Sequence, residues 1–364
     1  MTAFAGDRHI DVEALGIPIR IDVDGLPPVD CDRLAEAWSG ARSTSGERPV
    51  DTVAPRPHFH FDETIADLTT QVTLAALSAQ RGRLWMVHAG AVADENGRVV
   101  LFSGRSGMGK TTLMSRLARE YAYVTDESVG VTVDGLVLPY RKPLSIIDDV
   151  GRAKRQVSPT SLGLRELPSA PLRLHAIVVL DRDESAPAAQ VDPLDLADAV
   201  GAIAPQCSYL SELEAPLRTL MAHIESVGGA LRLHYREGDD ALPLLRRLLA
   251  SPRRSPVATV EQLPIEGRSA GTGFVRTPIL DAVRIADDRI ALLRRTADGA
   301  TTVHIVDGVG PALWQAANGV SFDELVAAAV RRHGAPVNGD VSGAVRSAVE
   351  SLRVAGLLEE RPRA

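Results

Sequence analysis

Gly104-Arg105-Ser106-Gly107-Met108-Gly109-Lys110-Thr111 reads Gly-x-x-x-x-Gly-Lys-Thr, and the residues on either side of it decide the fold. The run before it, Val99-Val100-Leu101-Phe102-Ser103, is apolar and β-branched, whereas Thr111 to Ala118 has helical spacing with Leu113 and Leu117 on one face. Strand, glycine loop and helix in this order form a phosphate-binding loop. The glycines let consecutive N–H groups turn toward phosphate oxygens, and the helix adds its positive N-terminal dipole. The motif therefore predicts a nucleoside triphosphate, ATP with Mg²⁺, held by residues 104–111 and Thr112. Lys110 is expected to reach the β- and γ-phosphates and Thr111 to ligate the metal.

Working outward, Val87 to Ala93 reads as a strand joined by Asn96-Gly97, a strong hairpin signal, to the strand that feeds the loop. Strands are also expected over Ala122 to Val133, Leu174 to Leu180 and Ala230 to Tyr235, and helices over 209–226 and 241–250. Interleaved strands and helices predict an α/β core over 84–250. Residues 1–83 read as an N-terminal extension of that core. Ile17 to Val23 and His58-Phe59-His60-Phe61 alternate as strands do, and Ile65, Leu68, Val72, Ala75 and Ala76 form a helical stripe.

Residues 251–272, with Ser251-Pro252-Arg253-Arg254-Ser255-Pro256 and Gly267 to Thr272, are rich in turn formers and are expected to be a linker. The segment 273–364 then changes character. Short strands at 282–285, 290–293 and 302–306, with turns at Asp287-Asp288 and Asp298-Gly299, precede three helices. The first runs from Pro311 to Asn318-Gly319, the second opens on the capping box Ser321-Phe322-Asp323-Glu324, and the third runs from Val341 to Gly356. This pattern predicts a small α+β module of the winged-helix type.

Composition narrows the function classes. The 364 residues are 45% hydrophobic and carry a net charge of −7, so no general attraction to nucleic acid or anionic membrane is expected. Cys31 and Cys207 stand apart, with no zinc or disulfide spacing. The first residues lack a basic start followed by an apolar core, and no run is long enough to span a bilayer, so a cytoplasmic location is expected.

Chemistry must come from groups near the γ-phosphate. His88 lies in the strand that pairs with the one feeding the loop, and Asp126-Glu127 closes a downstream strand. A carboxylate pair there suits a division of labour, one accepting a hydroxyl proton and the other serving Mg²⁺. Asp181, after the apolar run 177–180, is a second candidate for the magnesium-linked acid or else begins a surface turn with Arg182 and Asp183.

His88-Ala89-Gly90, the loop, and Asp126-Glu127 at these intervals resemble the HPr kinase group, most securely over 85–145 and including Tyr140-Arg141-Lys142-Pro143-Leu144-Ser145. The resemblance implies a P-loop kinase core in which His88, Lys110, Asp126 and Glu127 are catalytic, and Thr111, Asp126 and Glu127 serve the metal. The chain departs from the family in lacking its Glu-x-Arg-Gly-x-Gly signature, which argues against HPr as substrate.

The C-terminal segment, with Gly310-Pro311-Ala312-Leu313-Trp314, Ser321 to Leu325 and Leu352 to Leu358, resembles PqqD-like peptide-recognition domains. That likeness implies binding of a leader peptide by strand addition at 301–306. Trp314 is expected either to line the groove beside the last helix or, by its spacing with Leu313, to pack in the core, the favoured reading. Together these features predict a kinase that phosphorylates a Ser or Thr hydroxyl on a ribosomally made precursor peptide. A nucleotide-gated peptide-binding accessory protein and a small-metabolite kinase are the alternatives, and homo-oligomers of the HPr kinase kind are a further possibility.

Overall fold

The computed structural model describes residues 9–56, 58, 60–146, 154–186, 188–252, 260–265, 272–285, 288–335 and 339–362. The chain is a mixed α/β protein that divides into two units. The first takes Met1–Asp195, Gln206–Leu213 and His223–Pro256; the second takes Leu196–Pro205, Glu214–Ala222 and Val257–Ala364.

The first unit opens with the antiparallel pair β1 (His9–Ala14) and β2 (Ile17–Asp22); after helix α1 (Pro28–Ala37), β3 (Asp51–Val53) joins β2 in parallel. Helix α2 (Phe61–Ala79) turns Ile65, Leu68, Val72 and Ala76 into a core shared with Ile10, Val12, Ile19 and Ile21, and with Met86 and Tyr140 from the following region. Phe61 therefore begins a helix and does not continue the strand that the alternation at 58–61 predicts; His60 is its extended N-cap, and Asp62 and Glu63 favour the helix start. Phe59 lies outside the described residues.

The main sheet is built from β4 (Trp85–Ala93), β5 (Arg98–Ser103), β6 (Ala122–Thr125), β7 (Ser128–Val131) and β8 (Val137–Leu138), with helix α3 (Lys110–Leu117) after β5. Ala122 to Val133 holds two strands, the first ending just before Asp126-Glu127, the strand end expected of that pair, and the second starting just after it. A separate antiparallel pair, β9 (Leu144–Ile146) and β10 (Arg155–Val157), precedes the long β11 (Arg173–Arg182) and β12 (Gln190–Pro193). Next come α4 (Leu196–Ile203), β13 (Cys207–Ser208), α5 (Pro216–Ser226), β14 (Leu231–Tyr235) and α6 (Leu242–Ala250). The helix expected over 209–226 starts only at Pro216, whose missing N–H suits a first helical turn; ahead of it stands a short 3₁₀ turn, Leu210–Glu212.

Among the described residues the sheet has nine strands, in the order β12-β14-β11-β5-β4-β7-β8, with β6 and β13 also on β4. β5, β11 and β14 run parallel, and β4 is antiparallel to β5. Val100, Phe102, Val178, Leu180, Leu231 and Leu233 face α3 and α6, where Leu113, Met114, Leu117, Leu245 and Leu249 close the core.

The second unit contains β15 (Glu261–Gln262), β16 (Gly273–Arg276), β17 (Asp281–Arg284), β18 (Ile290–Arg295) and β19 (Thr301–Val306). After them come α7 (Gly310–Ala316), β20 (Asn318–Val320), α8 (Phe322–His333), α9 (Val341–Val354) and β21 (Leu358–Arg361). Strands β15-β17-β18-β19 form one antiparallel sheet, with β19 at its edge, and β20-β16-β21 form another. Trp314 and Leu313 are buried among Ile290, Leu292, Leu325, Val345, Val349 and Leu352, the core role expected of them. The Ser321/Glu324 capping box is formed at the start of α8.

The expected linker contains β15, and α4 with the first turns of α5 belongs to the second unit although both precede that segment. The arginine pair at 253–254, the glycine-rich run 267–271 and Asp287 lie outside the described residues. No described helix is long and apolar enough to cross a membrane.

Candidate active site

The hairpin that carries the site is fixed at its turn. Asp94 accepts the backbone N–H groups of Asn96 (3.0 Å) and Arg98 (2.9 Å) and the Arg98 Nε (2.7 Å), while Gly97 takes φ +77°. β5 then runs into the phosphate loop beside β11. A Cβ on Gly104 would stand 3.1 Å from that of Leu180, and Gly107 and Gly109 hold φ values of +85° and +80°, a region that glycine enters without strain. From β14, Tyr235 donates its hydroxyl to Met108 O at 2.9 Å and braces the loop. Arg105, Ser106 and Gly107 are exposed at its tip; Thr111 is half-buried and Thr112 exposed at the start of α3.

Lys110 is buried and donates to Gly104 O (2.6 Å) and Arg105 O (3.1 Å), so its ammonium sits inside the curve of the loop. Burial lowers its pKa, against the opposing fields of Asp126 and Glu127. That helix α3 can lie so close to β4 depends on Gly90: a Cβ there would stand 2.5 Å from Met114 Cγ. Alternation along β4 puts His88 on the same face as Gly90.

The acid pair occupies the break between β6 and β7. Ala91 is registered with Thr125 and His88 with Ser128, leaving Asp126 and Glu127 outside the regular ladder. Thr125 Oγ1 accepts the N–H groups of Glu127 (3.3 Å) and Ser128 (3.4 Å), and Glu127 O accepts the Ala89 N–H at 3.0 Å. Asp126 is 4% exposed. Its Oδ1 takes the Tyr123 hydroxyl at 2.9 Å and Lys142 Nζ at 3.2 Å. Lys142 also bonds Glu127 Oε2 at 3.0 Å and Pro143 O at 3.2 Å. Burial opposes the charge on Lys142, but the two carboxylates outweigh it and raise its pKa.

Burial, and then the field of Lys110, lower the His88 pKa in spite of Glu127 and Asp126, so the imidazole is neutral at pH 7. His88, Lys110, Asp126 and Glu127 thus share one electrostatic environment, and Thr111 adjoins it in sequence. Asp126, Glu127 and the Thr111 hydroxyl are hard oxygen donors of the kind a phosphate-borne magnesium ion takes, with one or two carboxylates enough. Lys142 occupies one oxygen of each carboxylate. Among the described residues no group of three or more His, Cys, Asp or Glu side chains forms a metal cage.

Asp181 plays a different part. In β11, Leu180 and Arg182 face α3 and Asp181 points to the opposite face, where it pairs with His234 Nδ1 at 3.0 Å. The surface turn starts two residues later, with Asp183 accepting from Ser185.

The sequence reading missed Tyr123, Lys142, Arg182 and Tyr235 as parts of this site. Arg182 brings Nη1 to 3.7 Å from the position a Cβ on Gly109 would take, while its Nε donates to Arg236 O. Lys142 stands fifteen residues beyond Glu127, and no local spacing rule links the two. Buried lysine in a segment of strand pairs is a signal only once the partner acids are known.

No protein-family model matches the chain, and no curated protein matches it. Among solved structures it is similar to the Hpr(Ser) kinase/phosphatase from Coxiella burnetii at 13% identity, over 45% of this chain and 93% of that one, with a TM-score of 0.23.

Proposed function

We propose that the first unit binds a nucleoside triphosphate at Gly104–Thr112 and transfers its terminal phosphoryl group to a hydroxyl. The observation that carries this reading is the buried Lys110 inside the phosphate loop, in the field of a fixed pair of carboxylates. A phosphate-binding lysine alone fits any nucleotide-binding protein. A buried acid beside it adds the acceptor for a proton.

In this mechanism the acceptor oxygen forms a bond to the γ-phosphorus as the bond from that phosphorus to the β–γ bridging oxygen breaks. The hydroxyl proton passes to Asp126, and the nucleoside diphosphate leaves. Oδ1 of Asp126 is already bonded by Tyr123 and Lys142, so Oδ2 is the oxygen that takes the proton. Lys110 balances charge that builds on the transferred group, and neutral His88 orients the acceptor. Magnesium, held by Thr111 and Glu127, supplies further neutralisation of the phosphates when bound.

The acceptor in this reading is a Ser or Thr side chain of a precursor peptide whose leader is held by the second unit. The edge strand β19, with Thr301 and Thr302 exposed, offers main-chain groups for an added strand. A leader held there raises the local concentration of the segment to be modified.

The test is intact-mass analysis of Ser/Thr-containing precursor peptides after incubation with the protein, ATP and Mg²⁺. A gain of one phosphate is expected, reduced by about 10²–10⁴-fold in Asp126→Asn while peptide binding persists. Undiminished transfer by Asp126→Asn would remove the carboxylate from the mechanism. Nucleotide binding without any transfer would reduce the chain to a nucleotide-gated binding protein.

A further inference from the structure

Lys142 deepens the proposed phosphotransferase reading and rests on it for its catalytic part. An ammonium has three N–H donors. All three have partners here: Asp126 Oδ1 at 3.2 Å, Glu127 Oε2 at 3.0 Å and Pro143 O at 3.2 Å. The residue is 3% exposed, so water does not compete for those bonds. It enters from the segment before β9, outside the strands that carry the acids, and so ties a separate stretch of chain to the break between β6 and β7.

We infer that Lys142 is the positioning residue of the acid pair, holding Asp126 and Glu127 by one oxygen each and turning their other oxygens toward the phosphate loop. It also sets the charge of the pocket. Lys110 and Lys142 together balance Asp126 and Glu127, while Arg182 beside the loop is paired with Glu237 at 3.9 Å; without Lys142 the pocket becomes one charge more negative where an anionic nucleotide must enter.

A lysine that served only to stabilise the fold would leave nucleotide affinity and turnover unchanged once the variant is folded, and the test uses that difference. Lys142→Met keeps an unbranched apolar stem, one atom shorter, and removes the charge. Folding is checked by circular dichroism and thermal melting, and affinity is read by titrating a fluorescent ATP analogue without magnesium.

The variant is expected to bind the analogue on the order of tenfold more weakly, because the pocket facing the phosphates has lost one positive charge. It is expected to lose about a hundredfold in kcat through misplacement of the acids. Lys142→Arg, which retains the charge but not the geometry, should recover the affinity and only part of kcat. If Lys142→Met does not fold, Lys142→Gln, which removes the charge but keeps a polar end in the same place, is judged by the same two readouts.

Wild-type affinity and wild-type kcat in the folded Lys142→Met protein, or in Lys142→Gln, would overturn the inference. If the wild-type chain binds the analogue but transfers no phosphate, the phosphotransferase reading fails on its own. The affinity arm then decides whether Lys142 balances the charge of the pocket.

Discussion

Asp126 in the first unit and Asp281 in the second are buried to nearly the same extent, 4% and 3% exposed, yet their surroundings differ in kind. Asp281 takes the Ala282 N–H (2.8 Å) and the Gln262 side-chain amide (2.6 Å) on Oδ1, and the Leu217 N–H (2.8 Å) on Oδ2. Both oxygens are used, and every donor is a neutral amide that holds the backbone of β15, β17 and α5 together. Asp126 is gripped on one oxygen by a phenol and an ammonium. A buried acid saturated by amides serves the fold, whereas one clamped on a single oxygen by a charged group keeps its other oxygen for the proton acceptance proposed for Asp126.

Replacing Asp281 tests the structural half of this contrast. Asp281→Ala leaves the Leu217 and Ala282 N–H groups without their carboxylate and is expected to cost on the order of 4 kcal/mol of stability, read by urea unfolding. The folded fraction should bind nucleotide as the wild type does. A loss below about 1 kcal/mol would mean that those amides find other partners and that the contrast with Asp126 is weaker than the geometry implies.

A smaller effect comes from a buried base with no counter-charge. His223 stacks on Trp85 with ring centroids 4.9 Å apart, and burial alone pushes its pKa down to about 4 from 6.5. Between those pH values the unfolded chain takes up a proton that the folded chain refuses, so stability falls as the pH drops from 6.5 toward 4. The expected loss is up to about 3 kcal/mol. Unfolding curves at neutral pH and near pH 4 measure it. His223→Phe should flatten this part of the dependence, and an unchanged slope would show that other groups produce it. His88 differs from His223 in that Lys110, Glu127 and Asp126 also act on it, which marks it as part of the site.

How far the sequence disclosed all this depended on the range of the interactions. The glycine-loop conformation, the Asn96-Gly97 hairpin, the α8 capping box and the Trp314 core position follow from residues a few positions apart, whose backbone requirements are local. Phe61 misled because period-two alternation over four residues is too short to separate a strand from the extended approach to a helix. The strand end at Asp126-Glu127 was expected, but its return to the same partner at Ser128 was not, because β-branched and apolar residues continue on both sides of it. Only the pairing of both halves with β4 shows that the two acids leave the ladder.

The candidate site was legible for His88, Lys110, Asp126 and Glu127, which lie close to the loop in sequence. Lys142, Arg182 and Tyr235 come from distant strands or their flanks, and the sheet order that gathers them cannot be read from spacing. Asp181 shows the converse: a residue at the end of an apolar strand invited a metal role, and one step of β alternation turns it to the other face, toward His234.

The central claim is that Gly104–Thr112 holds a nucleoside triphosphate through Lys110. Calorimetric titration of the whole chain and of Lys110→Ala with ATP and Mg²⁺ tests it most directly. Saturable binding at one site, weakened by about a hundredfold in the variant, is the predicted result. Equal affinity in the two proteins, or no binding by the wild type, would contradict it.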